Sequence, residues 1–388
     1  MKRLILVVGF LFGVIADSSA QSELVKEKLN NKVLGSLVGS AMGDAMGAST
    51  EMWSRTDRES KYGFIQVLTA PEIDPSAEGV WDRGYPAGAT TDDTRWKQLA
   101  GTFLISSYQN FDAEAFASHI LNFYEDQVKE LDQETNNIDL AQRKVDWIVE
   151  WADVSEAYLS NDINTYNLAL SKFYGGDLLC AGMLYSPIFG LPYAGQPLEA
   201  YKKGVEMALF DQGYARDMTG LVSAMVAVAM SDDATPERIL KPFKDVDPYG
   251  FSNRRIFSRY ALQTLETAQN IVQESRERST NNQEQLKMAW EKLDQNHQQV
   301  SPHAQEILLL TLTAMIFTDF EFQPTIEFLV NYGRDNDTTT AIAGAILGAY
   351  HGYDDLPEYK EQVINVAKDI HGIDLKDLTQ QITETLSK

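Results

Sequence analysis

The sequence predicts an all-α fold, a single helical bundle, because apolar residues recur at spacings of three and four along most of the chain. Alternating strand patterns are scarce, and residues 64–68 form the best short candidate for a strand. A length of 388 residues fits one large domain or two small ones. Because no low-complexity linker and no convincing repeat divides the chain, we expect one helical domain after the N-terminal segment.

The first twenty residues are typical of an export signal. A basic start precedes an apolar stretch over residues 4–16, and a run of small residues ends at Ala20. The apolar stretch is too short for a comfortable membrane span, and no later segment is long and apolar enough for stable membrane insertion. We therefore expect cleavage after Ala20, a mature domain over residues 21–388, and a periplasmic or secreted location. An uncleaved anchor and an ordinary N-terminal helix are the alternatives.

Composition limits the partners of this protein. With 33 basic and 56 acidic residues, the chain has a formal net charge of −23 and repels nucleic-acid phosphate. A small phosphorylated ligand is still allowed, because a bound divalent cation reverses the local charge. Cys180 is the only cysteine, so no internal disulfide forms. Its apolar, glycine-rich surroundings favour a small buried residue over a nucleophile.

The helical periodicity can be assigned element by element. It predicts helices over residues 22–48, 94–108, 112–130, 141–160, 197–212, 214–231, 252–276, 282–298, 302–318, 338–351, 358–370 and 374–386. Residues 54–93, 174–197 and 241–252 are predicted to be irregular, and the first of these segments is long enough to indicate a functional loop. Residues 276–300, rich in Gln, Asn and Glu, are either a solvated helix or a mobile insertion.

Two of the predicted helices carry glycine at every fourth position. These glycines are Gly35, Gly39, Gly43 and Gly47 in the first helix and Gly344, Gly348 and Gly352 near the other end of the chain. Each glycine costs a helix about 1 kcal/mol relative to alanine, so the pattern needs a reason. A spacing of four places the glycines on one stripe, where another backbone can approach closely. We expect both helices to pack tightly inside the bundle and to bring the loops at their ends together.

Threonine and aspartate cluster at two predicted helix N-termini. Residues 90–94 read Thr-Thr-Asp-Asp-Thr, and residues 335–339 read Asp-Asn-Asp-Thr-Thr. Helix capping alone is the simpler explanation, but one Asp or Thr is enough to cap a helix. Four carboxylates brought together in a buried place would be very costly without a cation. The two runs therefore predict a metal site.

The ligand chemistry of these runs favours hard cations. Carboxylate and hydroxyl oxygens suit Mg²⁺, Mn²⁺ or Ca²⁺ rather than zinc or copper, and the five histidines lack a paired metal spacing. Four acids and two threonines exceed what one Mg²⁺ usually takes from protein. We therefore expect two cations about 4 Å apart, bridged by a shared aspartate.

Three motifs together resemble the ADP-ribosylglycohydrolase family, which includes dinitrogenase-reductase-activating glycohydrolase. They are residues 39–47 (GSAMGDAMG) with Glu51 following, residues 91–94 (TDDT), and residues 335–338 (DNDT), in that order. The resemblance implies a single orthogonal all-α bundle and a binuclear Mg²⁺ site, in which Mn²⁺ is an alternative cation. It also implies cleavage of the bond between C1 of a ribose and a protein or nucleotide group.

The resemblance carries roles to individual residues. The positions that match the family's metal ligands are Thr91, Asp92, Asp93, Asp335, Asp337 and Thr338. Glu51 matches a glutamate that contacts the ribose or acts in catalysis in some members. A carboxylate at that position could orient the attacking water or carry its proton. Asp44 is expected only to cap or brace the glycine-rich helix.

The chain also departs from the family pattern, which leaves the substrate open. Arg334 stands where relatives often carry glycine, and it either binds a ligand carboxylate or diphosphate or pairs with a surface acid. Tyr174, Gly175 and Gly176 form either a flexible pocket wall or an ordinary glycine turn. A middle motif of the family is reduced here to residues 181–184.

These observations favour a Mg²⁺-dependent hydrolase of N- or O-ribosyl bonds, acting on a small molecule or an ADP-ribosylated substrate. Two alternatives stay open. One is a hydrolase of another nucleoside- or sugar-like conjugate outside the cytoplasm. The other is a protein that binds a ligand similar to ADP-ribose without turnover.

Overall fold

The computed structural model describes residues 2–71, 84–131, 138–253 and 255–388. Its helices are, in chain order, α1 (Lys2–Gly47), α2 (Arg55–Tyr62), α3 (Asp92–Ser107), α4 (Ala113–Leu131), α5 (Ile138–Leu159), α6 (Ile163–Leu170), α7 (Ala181–Gly190), α8 (Pro197–Met207), α9 (Ala215–Ala229), α10 (Pro236–Leu240), α11 (Pro242–Asp245), α12 (Tyr260–Arg278), α13 (Asn282–Asp294), α14 (Ala304–Phe317), α15 (Phe322–Tyr332), α16 (Asn336–His351), α17 (Lys360–His371) and α18 (Leu375–Leu386). Within these ranges no strand forms, and Leu179 and His303 make an isolated bridge. The all-α prediction is confirmed.

The glycine-rich helices α1 and α16 pack directly against each other at the centre of the bundle, as the sequence predicts. A Cβ added at Gly39 or Gly43 would overlap the backbone of α16, at Gly344 O and Thr340 O respectively. In return, a Cβ at Gly348 would overlap Gly35 O. The two backbones are therefore in contact along the stripe, which only glycine permits.

Burial differs between central and peripheral helices for a reason visible in their sequences. Every residue of α7 is buried, as is nearly all of α9, α14 and α16. In contrast, α17 buries only Val363, Ile364 and Ala367, which lie on one face. A peripheral helix needs one apolar stripe, whereas a central helix is apolar or small all round.

An aromatic cluster fixes the position of α3 against α5 and α7. Trp96 of α3 is buried, and its ring centroid lies 4.1 Å from that of Trp151 and 5.4 Å from that of Trp147. Tyr185 of α7 lies 5.6 Å from Trp96 on another side. Large interlocked rings bury much apolar area and define geometry, so the start of α3 is held firmly relative to α5.

Several local predictions were wrong. The irregular segments predicted over 54–93, 174–197 and 241–252 contain α2, α7 and α11, and residues 64–68 are not a strand. Helix α7 escaped detection because it is buried on all sides and shows no apolar periodicity. Much of 276–300 is helical, because α12 extends to Arg278 and α13 follows.

Residues 2–20 of the predicted export signal form the start of α1, and cleavage of the signal stays a prediction. Residues 72–83 of the predicted functional loop lie outside the described residues. Among the helices of the described chain, none is both long and apolar enough to cross a membrane.

Candidate metal centre and active site

The N-terminus of α16 lies beside the C-terminal end of α1. A Cβ on Gly47, the last residue of α1, would overlap the backbone of Asp337. The tight glycine packing thus continues to the point where the second acidic run begins. The chain that follows α1 therefore emerges directly at the carboxylates of α16.

The first acidic run is attached to α1 by Asp44. Its Oδ1 accepts a hydrogen bond from the backbone N–H of Thr91 at 2.9 Å, and its Oδ2 accepts from the backbone N–H and hydroxyl of Thr94 at 2.9 and 2.5 Å. Asp44 thus caps α3 rather than its own helix. Burial, and then repulsion from Asp93, raises the pKa of Asp44 to about 7.

The two acidic runs, distant in sequence, meet in space. Asp92, Asp93 and Asp337 each offer a carboxylate oxygen, and these three atoms lie within 4.8 Å of one another. The hydroxyl of Thr338 donates to Asp93 Oδ2 at 2.9 Å and so joins α16 to α3. Asp335, the residue that precedes α16, is buried beside them and lines the same cavity.

Burial and mutual repulsion disfavour the ionised forms of the carboxyl groups in this cluster. Burial, followed by repulsion from Asp93, raises the pKa of Asp335 to about 6. The pKa of Asp337 is raised well above its ordinary value by burial, and then by repulsion from Glu51 and Asp335. Asp337 Oδ1 is buried and has no hydrogen-bond partner. Because an unpaired buried carboxylate oxygen is costly, this atom is a candidate ligand for a cation.

Glu51 is held at the edge of the cluster by backbone pairing with the segment before α16. The N–H of Met52 donates to Arg334 O at 2.7 Å, and the N–H of Arg334 donates to Trp53 O at 3.0 Å. Asn336 adds a side-chain hydrogen bond to the hydroxyl of Thr50 at 2.8 Å. The predicted catalytic glutamate is therefore buried and fixed beside Asp337.

Lys97 is a member of the cluster that the sequence analysis missed. Its ammonium Nζ lies 2.5 Å from Asp93 Oδ1, and the side chains of Lys97 and Asp93 are 2% and 1% exposed. The two residues are four apart on α3 and therefore share one face of the helix. The i, i+4 spacing was a usable signal, since Lys97 follows a predicted ligand by one helical turn.

A cavity borders the acidic cluster, and aromatic and apolar residues line the rest of it. It is lined by Glu51, Met52, Asp92, Trp151, Phe173, Tyr174, Leu179, Cys180, Ala181, Leu184, Pro302, Asp335, Asp337 and Thr338. Trp151 and Phe173 meet edge to face with centroids 4.9 Å apart, and Trp151 Nε1 donates to the Tyr174 hydroxyl at 3.3 Å. The prediction that Cys180 is buried is confirmed. An acidic floor and an aromatic wall thus face one space.

Of the predicted substrate-binding residues, Tyr174 lines the cavity, whereas Arg334 is engaged in an ion pair. Tyr174 lines the cavity, and together with Gly175 and Gly176 it adopts positive φ values of 44°, 79° and 81°. Arg334 instead binds Glu306, with its Nε 2.6 Å from Oε1 and its Nη2 2.9 Å from Oε2. Of the two roles considered for Arg334, the structure shows pairing with an acid, and that acid is buried rather than on the surface.

Comparisons with known proteins agree with this fold. The family model described as ADP-ribosylglycohydrolase matches residues 25–387. The chain belongs to the ADP-ribosylglycohydrolase family. A solved structure titled "ADP-ribosylglycohydrolase-related protein complex" shares the fold, with a TM-score of 0.59 and 15% sequence identity over 92% of this chain and 99% of that chain. No curated protein matches. Membership implies a metal-dependent glycosyl hydrolase that acts on ADP-ribosyl-type bonds.

Proposed function

We propose that this protein hydrolyses an N- or O-ribosyl bond of the ADP-ribosyl type with two Mg²⁺ ions, or Mn²⁺ in their place. The observation that carries the proposal is the buried, unpartnered Oδ1 of Asp337 in a group of three convergent carboxylates. Burial, and then repulsion within the group, raises the pKa values of Asp335 and Asp337, and a bound cation would offset both effects.

The residues present fit hard divalent cations. Every candidate ligand is a carboxylate or hydroxyl oxygen, which suits Mg²⁺. The residues that would hold the ions are Thr91, Asp92, Asp93, Asp335, Asp337 and Thr338. When bound, the cations would hold and polarise the vicinal hydroxyls of a ribose and offset the charge of the carboxylates.

Glu51 is the candidate catalytic residue. It borders the cavity at the acidic floor, and its charge contributes to the raised pKa of Asp337. From there its carboxylate would orient an attacking water and accept its proton. Cleavage of a ribosyl bond develops positive charge on the ring, which the neighbouring carboxylates stabilise.

The aromatic wall would bind the rest of the substrate. Trp151 and Phe173 are buried and border the cavity beside the half-buried Tyr174. Contact with a planar group such as a base would therefore come mainly from the ring of Tyr174. The acidic residues would thus bind the ribose, and the aromatic residues would bind the base or other group attached to the ribose. A small molecule or a flexible ADP-ribosylated side chain would reach both.

A second candidate is hydrolysis of another nucleoside- or sugar-like conjugate outside the cytoplasm. The engagement of Arg334 with Glu306 favours it, because the Nε and Nη2 donors considered for a diphosphate contact already bind a buried carboxylate. The export signal proposed for residues 1–20 agrees with a substrate that is not an intracellular protein. Both candidates use the same cations and the same glutamate.

The test is an activity assay on the mature protein. ADP-ribosylated arginine, ADP-ribosylated serine, poly-ADP-ribose and free nucleosides are each incubated with Mg²⁺ and with chelator. Release of ADP-ribose from the first three substrates and of ribose from the nucleosides is measured. We expect chelator-sensitive turnover that Glu51→Gln lowers by about 100-fold or more. The matched control is Glu59→Gln, an exposed glutamate on α2, which leaves the rate unchanged.

Each result of this assay separates the candidates. Turnover of nucleosides alone would favour the second candidate over the first. Binding of ADP-ribose by calorimetry without product release would show a binding protein instead. Full activity in chelator, or in Glu51→Gln, would contradict the proposed site.

A further inference from the structure

The buried ion pair of Lys97 and Asp93 lies within the proposed metal site. Both side chains are almost completely buried, at 2% and 1% exposure, and the ammonium lies 2.5 Å from Asp93 Oδ1. An exposed i, i+4 pair is worth little, but a buried ammonium is retained only where acids surround it. Asp44 is near as well, since the charge of Lys97 counteracts the raised pKa of that carboxyl.

Asp93 and Asp337 therefore differ in how many of their carboxylate oxygens already accept hydrogen bonds from the protein. Both oxygens of Asp93 already have protein donors, with Lys97 on Oδ1 and the Thr338 hydroxyl on Oδ2. In contrast, Asp337 Oδ1 is buried without a hydrogen-bond partner. A cation that approaches Asp337 meets a free oxygen, whereas one that takes Asp93 Oδ1 has to displace an ammonium.

We propose that Lys97 is an internal cation that competes with one of the two divalent ions for Asp93. The first ion then binds tightly towards Asp335 and Asp337, and the second binds more weakly because it displaces Lys97. This inference rests on the proposed two-cation site and deepens it. Lys97 acts as a positioning residue through Asp93 and needs no contact with substrate.

The order of binding follows from charge. Before any metal binds, Lys97 offsets part of the repulsion at Asp93 and none of its hydrogen bonds serves Asp337. Removing a group from a buried ion pair leaves an uncompensated charge, and a divalent ion would compensate it. Loss of the ammonium should therefore improve the second binding step and leave the first nearly unchanged.

The experiment titrates Mn²⁺ into the metal-free full-length protein and follows free and bound Mn²⁺ by electron paramagnetic resonance. For the wild type we expect two dissociation constants that differ by about tenfold or more, which corresponds to ~1.4 kcal/mol. The first bound ion should give an uncoupled spectrum, and exchange coupling should grow only with the second, because two ions held by one carboxylate cluster would be close enough to couple.

Variants identify Lys97 as the cause. Lys97→Met should tighten the second constant by about tenfold, and Lys97→Arg, which keeps the charge, should preserve the gap. Lys32→Met is the matched control. Lys32 is a partly buried lysine, which donates to Ala349 O near the far end of α16, and its loss should leave both constants unchanged.

The outcomes separate the two proposals. Two equal constants in the wild type would overturn the role of Lys97 and leave the two-cation site intact. An unchanged second constant in Lys97→Met would show an ordinary structural ion pair and would also overturn it. Absence of Mn²⁺ binding would remove the proposed function itself. Equal constants in the wild type would overturn the role of Lys97 even if Lys97→Met does not fold, and Lys97→Arg supplies a second variant.

Discussion

Two buried aspartates of this protein, Asp217 and Asp337, have opposite surroundings. Asp217 accepts from Arg259 Nε at 2.8 Å and from Arg259 Nη2 at 2.5 Å, and the hydroxyl of Tyr201 adds a third hydrogen bond at 2.6 Å. Asp337 is equally buried, yet its Oδ1 has no partner, and Glu51 and Asp335 repel it. Burial alone therefore does not distinguish a structural acid from a functional one.

The difference lies in whether the protein itself supplies the counter-charge. Arg259 is bidentate to Asp217 and also donates to Phe243 O at 2.9 Å, so this pair fastens α9 to α12 and α11. The cluster around Asp337 has more acids than cations among the described side chains. A completed network serves the scaffold, and an incomplete one is ready to take a ligand.

The largest expected effect comes from breaking the completed network. Arg259→Met would leave Asp217 buried and without its cation, and we expect the free energy of unfolding to fall by about 3–5 kcal/mol in urea titrations. Lys202→Met, which removes the exposed partner of Glu199, is the control and should change it by less than about 1 kcal/mol. A cost for Arg259→Met as small as the control would show that the buried pair does not support the scaffold.

A smaller change in the free energy of unfolding, which depends on pH, is expected from Asp335 in the acidic cluster. Because the folded-state pKa of Asp335 is raised to about 6, the folded protein binds this proton more tightly than the unfolded chain does. In chelator, the stability of the wild type relative to Asp335→Asn should therefore fall as pH rises from about 4 to about 6. The expected change is on the order of 2 kcal/mol, measured by urea unfolding at several pH values.

The direction of this pH effect is set by the raised pKa of Asp335. A carboxyl group whose pKa is raised on folding contributes stability at low pH and loses that contribution as pH rises. Added Mg²⁺ should flatten the slope, because a cation stabilises the ionised form of Asp335. A wild type that gains stability relative to Asp335→Asn between pH 4 and 6 in chelator would contradict the assignment of Asp335 to an uncompensated cluster.

Parts of the fold were predictable because their physical causes are local. Most amphipathic helices followed from apolar periodicity, and the contact between α1 and α16 followed from glycine at every fourth position. The meeting of residues 91–94 with 335–338 followed from that contact. Helix α7 was hidden because complete burial erases the periodic pattern on which such predictions rest.

The site was predicted less completely, because several of its contacts are set only by the tertiary fold. Asp44 was expected to brace its own helix, but its carboxylate caps α3. Arg334 was considered for substrate binding, but the position of Glu306 on α14 captures its guanidinium. Lys97 was recognisable only by its spacing from Asp93, since nothing local shows that this face of α3 is buried.

The central claim is that the acids at the starts of α3 and α16 form one divalent-cation site. Calorimetric titration of Mg²⁺ into the metal-free wild type and Asp337→Ala tests it most directly, with helical circular dichroism as the control for folding. We expect the wild type to bind Mg²⁺ and Asp337→Ala to lose that binding while its helical spectrum stays mostly intact. Undiminished Mg²⁺ affinity in Asp337→Ala would contradict the account.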